Sequence, residues 1–245
     1  MFGMSRTVVD GPDIAAVAAL LGDASRAAMI TALMDDLRLP ASELARLAGV
    51  GKSTASEHLG RLVDNGLLAT ERCGRHTYYR IADPLVGRAL ETLAMLAPQR
   101  APNSLRSARR QDELARARLC YDHLAGRLGV ALADALVRQG LLREAEGALH
   151  VVPGAWDSRA PLGITCDTSG AGRRPLARGC VDWTVRRHHL AGALGAALSQ
   201  RMFELGWIRR RRDKERAVAL TDAGAEGVRD VFGLDEELTA AVVSG

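Results

Sequence analysis

Aromatic side chains make up only 4% of the 245 residues, too few for the aromatic and β-branched strands of an all-β sandwich. Alanine, leucine, arginine and glycine dominate instead, so the chain is expected to be mainly α with short β-hairpins. Cysteine is scarce as well. Cys73, Cys120, Cys166 and Cys180 are scattered and lack the density and spacing of a secreted disulfide framework, which points to a reducing, cytoplasmic compartment. Residues 1–13 include Asp10 and Asp13 and hold no apolar core of signal-peptide length, so no secretory address is read there. The apolar runs at 14–21 and 190–198 reach about half of the ~20 residues that a membrane-spanning helix requires. No membrane partner is expected.

What is present is an ordinary globular balance, 47% hydrophobic and 25% charged, long enough for about two domains. A formal net charge of +4 suits a polyanionic partner but occurs in many proteins that never touch one. Local patterning carries more. Apolar residues at Ile14, Val17, Leu20 and Leu21 predict one amphipathic helix, and Met29, Ile30, Leu33 and Met34 a second after the break at 22–25. A third begins at Pro40-Ala41-Ser42-Glu43, burying Leu44, Leu47 and Ala48 until Gly49 ends it.

The stretch 52–65 then reads as a helix with Ala55, Leu59 and Leu62 inward and Lys52, Ser53, Ser56, Glu57 and Arg61 outward. Such a small, polar, hydrogen-bonding face suits the major groove of double-stranded DNA, although a solvated surface helix has a similar composition. The continuation separates the two readings. Asn65-Gly66 caps the helix, and strands at 67–72 and 76–81 flank the turn Cys73-Gly74-Arg75, the pattern of a helix-turn-helix with a wing. Candidate DNA contacts are Ser42, Lys52, Ser53, Thr54, Ser56, Glu57, His58 and Arg61 around the reading helix, with Arg72, Arg75, His76 and Tyr78 on the wing. The segment Gly51-Lys52-Ser53-Thr54 resembles the end of a phosphate-binding loop, but Arg46 stands where that motif needs its first glycine, so nucleotide hydrolysis is not predicted.

Through the segments 21–26, 54–59 and 74–80, this part of the sequence resembles the ArsR-type winged helix-turn-helix regulators, over about residues 13–95. The resemblance implies a homodimeric repressor on a pseudo-palindromic operator, released by a signal, with Val17 and Leu20 on the first helix and Leu90 and Leu93 on the last at the dimer contact. Val86, Leu90, Leu93 and Leu96 do form a stripe on a helix starting near Asp83-Pro84, as expected of a dimer contact or of an ordinary core face. The family's metal sensors carry a cysteine pair on the third helix or an Asp and His set on the last. Glu43-Leu44-Ala45-Arg46 and Asp83-Pro84-Leu85-Val86-Gly87 have neither.

Residues 98–110 hold Pro98, Pro102 and several arginines, the composition of a basic linker between a DNA-binding domain at 1–97 and a regulatory domain at 111–245. The second domain contains an internal repeat. His123-Leu124-Ala125-Gly126 and the residues after it match His189-Leu190-Ala191-Gly192 at the same spacing without a gap, out to Gly140-Leu141-Leu142 and Gly206-Trp207-Ile208. Each copy is expected to be a degenerate winged-helix half, its wing at 141–152 or 207–220.

Cys120, Asp122 and His123 lead into the first copy, and Cys180 and Asp182 lie upstream of His189. Pseudo-twofold packing would gather these groups into a site for a metal ion, a small-molecule effector or a redox signal. Core packing explains them as simply, because each cysteine precedes its His-Leu-Ala-Gly at a different distance. The small residues at 191–197 permit either close helix approach or a ligand cavity, and Arg209 to Arg212 with Lys214 and Arg216 form the densest basic patch. The expectation is therefore a non-enzymatic, cytoplasmic DNA-binding regulator. Its alternatives are an effector-independent architectural DNA binder and, further off, a thiol- or metal-dependent enzyme fused to a regulator.

Overall fold

A computed structural model describes residues 11–34, 37–98, 101–102, 104–145, 148–156, 160–164, 174–211 and 216–243. It divides into two units, one of 1–33 and 37–86 and the other of 34–36 and 87–245. In the first, α1 (Ile14–Leu21) and α2 (Ala24–Ala32) are separated by Gly22 and Asp23, followed by β1 (Leu39–Pro40), α3 (Ala41–Ala48), α4 (Lys52–Asp64), β2 (Leu68–Cys73) and β3 (His76–Ile81). Gly49 ends α3 in the left-handed conformation at φ 68°, where a side chain would be strained. The strands make an antiparallel sheet in the order β1-β3-β2. Met29, Ile30, Leu33, Leu39, Leu44, Ala55, Leu59, Leu62, Leu68 and Ile81 fill the core beneath it. Leu47, expected inside, is exposed: so short a helix has room to bury only Leu44 and Ala45.

The Asp23 carboxylate accepts from the Arg26 backbone N–H at 2.9 Å and so caps α2. That bond holds its carboxyl below the usual range. The cap therefore contributes fully above the ordinary carboxylate pKa and is lost as pH falls through the lowered one. Thermal unfolding between neutral and acidic pH should show this: Asp23→Ala lowers the midpoint at neutral pH and flattens part of the acid limb. Asp23→Asn, a cap without a charge to titrate, is expected to keep the midpoint while flattening the same limb.

In the second unit, α6 (Leu105–Arg116) leads into a tight hairpin of β4 (Arg118–Cys120) and β5 (His123–Ala125), then α7 (Gly126–Arg138) and the hairpin β6 (Leu142–Ala145) with β7 (Ala148–Val151). The second copy runs β8 (Arg178–Val181), β9 (His188–Ala191), α8 (Ala193–Glu204), β10 (Ile208–Arg210) and β11 (Val218–Leu220), and α9 (Asp222–Phe232) and α10 (Glu236–Val243) follow it. The repeat is thus structural: each copy is a hairpin, a helix and a second hairpin. The copies interlock, with α7 against β9, α8 against β5, and β5 against β9. Leu128, Leu132, Leu136, Leu190, Leu194, Leu198, Met202 and Phe232 share one core.

Two expectations about the junction are corrected. The division falls between Val86 and Gly87, inside α5 (Pro84–Leu96), rather than at residue 97. Gly87 lies against the Tyr121 ring, and the buried Glu91 pairs with Arg216, which ties most of this helix to the second unit. The stretch 98–110 is also not linker throughout. Ser104 accepts from the Ser107 N–H at 3.1 Å and starts α6, so Arg106, Arg109 and Arg110 are helical.

Candidate nucleic-acid interface and a buried cysteine–histidine cluster

Helix α4 buries Ala55, Leu59 and Leu62 completely and presents Lys52, Ser53, Thr54, Ser56, Glu57 and Arg61 to the exterior. Ser42 on α3 is exposed as well. The Arg61 guanidinium donates to Glu57 at 2.7 Å across one helical turn, a pairing that a competing phosphate or base edge would replace at little cost, since both side chains are more than half exposed. The wing turns at Gly74, φ 59°, over a two-residue loop that brings Cys73 opposite His76. Arg72, Arg75 and His76 are exposed at its end, whereas Tyr78 is half-buried within the sheet, opposite Glu71 and Pro40.

His58 departs from expectation. Its Nδ1 lies 3.4 Å from the Arg26 guanidinium and its Nε2 3.8 Å from Asp23, so the ring leans on the start of α2. Arg26 itself is buried, donating to the carbonyls of Leu20 at 2.6 Å and Ala19 at 2.8 Å. His58 therefore braces α4 against the start of α2 instead of standing free on the outer face.

In the second unit the separated Cys and His residues come together. Cys120 faces His123 across β4–β5, and Cys180 faces His189 across β8–β9. The pairing is the same although the connecting loops differ in length. Interlocking of the copies then places one ligand-type atom from each of Cys120, His123, Cys180 and His189 within 4.8 Å of the others. The sulfurs are 3.8 Å apart, and the imidazoles stack at 5.0 Å between centroids. Nε2 of His123 and both ring nitrogens of His189 are buried without a hydrogen bond of acceptable geometry.

The two carboxylates flank this cluster rather than enter it. Asp122 receives Nδ1 of His123 at 3.1 Å and a two-pronged contact from Arg174 at 2.6 and 3.0 Å. Burial acts to raise the Asp122 carboxyl, but His123 and Arg174 outweigh it and hold it at about 2. Asp182, fully buried, accepts from the backbone N–H of Gly126 at 2.6 Å, from Thr184 and Val185, and pairs with Arg118 at 2.9 Å. Its closest approach to His189 is 3.8 Å, beyond a hydrogen bond. The Cys120 thiol, directed at Cys180, lowers the Cys180 thiol, and both imidazoles add to this effect; Cys120 itself is raised. Burial lowers His189, while Asp122 and Cys180 raise His123 against the same penalty.

The helix-turn-helix geometry of the first unit agrees with a family model described as a helix-turn-helix domain, which matches residues 21–71. The HTH-type transcriptional regulator YdfF of Bacillus subtilis is 42% identical over 213 residues, 87% of this chain and 94% of that protein. The chain belongs to the HTH-type transcriptional regulators. Two solved structures resemble it over a shorter span. The winged helix-turn-helix domain of Mb0332 from Mycobacterium bovis is 28% identical, covering 34% of this chain and 76% of that one at a TM-score of 0.32. Reduced HlyU from Vibrio cholerae is 24% identical, covering 35% and 88% at a TM-score of 0.32. The likeness to YdfF is too long to lie in the first unit alone.

Other residues of the regulator fall differently from expectation. The basic patch is partly turned inward: Arg211 donates to the Val242 carbonyl at 3.0 Å, and Arg216 pairs with Glu91 and donates to Leu119. Arg212, Lys214 and Cys166 lie outside the described residues. The small residues at the start of α8 serve close approach, because a Cβ on Gly195 would meet the Leu190 carbonyl oxygen at 2.3 Å and the His123 Cβ at 3.2 Å. Two residues that pattern reading passed over, Arg118 and Trp183, stack at 4.4 Å beside Asp182. No single helix among the described residues is long and apolar enough to cross a membrane.

Proposed function

We propose that this regulator is a cytoplasmic, non-enzymatic homodimeric repressor. The α4 face and wing of each copy read half of a pseudo-palindromic operator, and a signal received in the second unit releases it. The observation that carries the DNA reading is the exposed polar side of α4, from Lys52 to Arg61, beside a hairpin with Arg72 and Arg75 at its end. Ordinary surface helices have such faces; a wing beside one turns it into a two-groove reader. Exposed apolar side chains support dimerisation: Ile14 at 76% and Val17 at 44% on α1, Leu93 at 47% and Leu96 at 80% on α5. Leu20 on α1 and Leu90 on α5 are each half-buried, as the edge of such a contact would be.

A gel-shift series on an operator selected from random duplexes tests the reading. Arg61→Ala and Arg75→Ala are each expected to weaken binding about tenfold or more, the lower end of what a base or groove contact contributes. Undiminished affinity in both variants overturns it. Sedimentation of the full chain checks the assembly, with Val17→Asp shifting dimer to monomer.

A further inference from the structure

From the cluster we infer a zinc-class metal site: one borderline-soft divalent cation per chain, held by Cys120, His123, Cys180 and His189 and joining the two copies of the repeat. Four donors suffice to close the coordination shell of zinc, and two sulfurs with two imidazole nitrogens are a set that it prefers. The geometry is already near. A tetrahedral ion with bonds of about 2.3 Å to sulfur spaces its two sulfurs by about 3.8 Å, and the sulfurs here are 3.8 Å apart. The remaining donor atoms lie within 4.8 Å of one another, so small side-chain rotations would draw them in to about 3.3–3.8 Å.

Core packing alone accounts poorly for the nitrogens. Cysteines are often buried as small apolar residues, but His123 at 3% exposure and His189 at 0% bury three ring nitrogens with no hydrogen bond of acceptable geometry. An ion would satisfy one nitrogen on each ring. Asp122 prepares the first: by accepting from Nδ1 of His123 it fixes the tautomer that leaves the Nε2 lone pair, unpartnered and buried, free for an ion. Charge also balances. Two thiolates, their protons released to solvent, neutralise a divalent ion, and the neutral imidazoles add none, so the complex suits a buried place. With four protein ligands and no open position, the ion would hold structure or report a signal rather than activate a substrate. Its role as the signal rests on the function proposed above; its presence does not.

The test uses the full chain, purified under reductant and without DNA. Elemental analysis is expected to find about one zinc per chain, and replacement by cobalt to produce intense tetrahedral d–d bands with thiolate charge transfer. Cys120→Ser and His189→Gln should each abolish or shift the cobalt spectrum, while Cys73→Ser, at an exposed cysteine of the other unit, leaves it unchanged. If the cluster variants do not fold, the native chain's spectrum and stoichiometry decide. A reduced chain that takes up neither zinc nor cobalt overturns the site. So does a cobalt spectrum lost in Cys73→Ser. None of these results touches the DNA reading, which the operator series tests separately.

Discussion

Replacing Asp182 by alanine should cost the second unit about 3–5 kcal/mol, the usual consequence of leaving one member of a buried ion pair alone. Arg118 and Asp182 are both 0% exposed, so the guanidinium has no water to turn to when the carboxylate is gone. Trp183 covers its face and the Leu114 carbonyl receives one edge at 3.2 Å, but neither supplies a negative charge. The same substitution removes the acceptor for the Gly126 N–H at the start of α7 and for the turn at Thr184 and Val185. In a domain of this size the loss corresponds to about 10 °C in thermal midpoint. The double variant Asp182→Ala, Arg118→Met should recover part of it, because the stranded charge has been removed. A double variant as unstable as Asp182→Ala would assign the cost to the turn and cap instead.

The second large effect is expected at Gly129 and Gly195. A Cβ at Gly129 would lie 2.4 Å from the Leu124 carbonyl oxygen, and one at Gly195 would lie 2.3 Å from that of Leu190. In each case the obstacle is backbone, so relief requires the helix to move away from the hairpin that precedes it. Overpacking of this kind costs about 1–3 kcal/mol per site, and sometimes more. Ala at both positions should therefore lower the unfolding free energy by about 2–6 kcal/mol if the sites act independently. The same neighbours make the effect local to the cluster: Gly129 abuts His189 and Gly195 abuts His123. Denaturant unfolding of the single and double variants checks the magnitude. Substitution without loss of stability would show that the repeat halves are more loosely packed than this geometry allows.

The winged helix-turn-helix was legible because its signals are local. Apolar spacing, Gly49, the Asn65-Gly66 cap and the turn at Gly74 each act within a few residues, and the elements formed close to where those signals placed them. The inward lean of His58 is not legible in the sequence, for the complementary reason. Its position on α4 follows from spacing, but Asp23 and Arg26, which draw the ring inward, are more than thirty positions away. Residues 105–110 looked like linker because charge and serine suggest solvent, whereas Ser104 acts as a cap that starts a helix there. The repeat could be read from spacing; the equivalence of its cysteines could not. Loop length separates Cys120 from His123 and Cys180 from His189 unequally, and only strand pairing restores the match. Arg211 and Arg216 likewise find partners on α10 and α5 that local composition does not foretell.

The crossed arrangement, α7 on β9 and α8 on β5, also orders events in time. A ribosome making this chain releases the first unit while the later half of the second is still unmade, and α7 then waits on a partner strand that begins at residue 188. Until that strand arrives, Leu128, Leu132 and Leu136 have only part of their eventual cover. A nascent chain stalled in this interval presents a finished helix-turn-helix unit together with a second unit that still lacks part of its core.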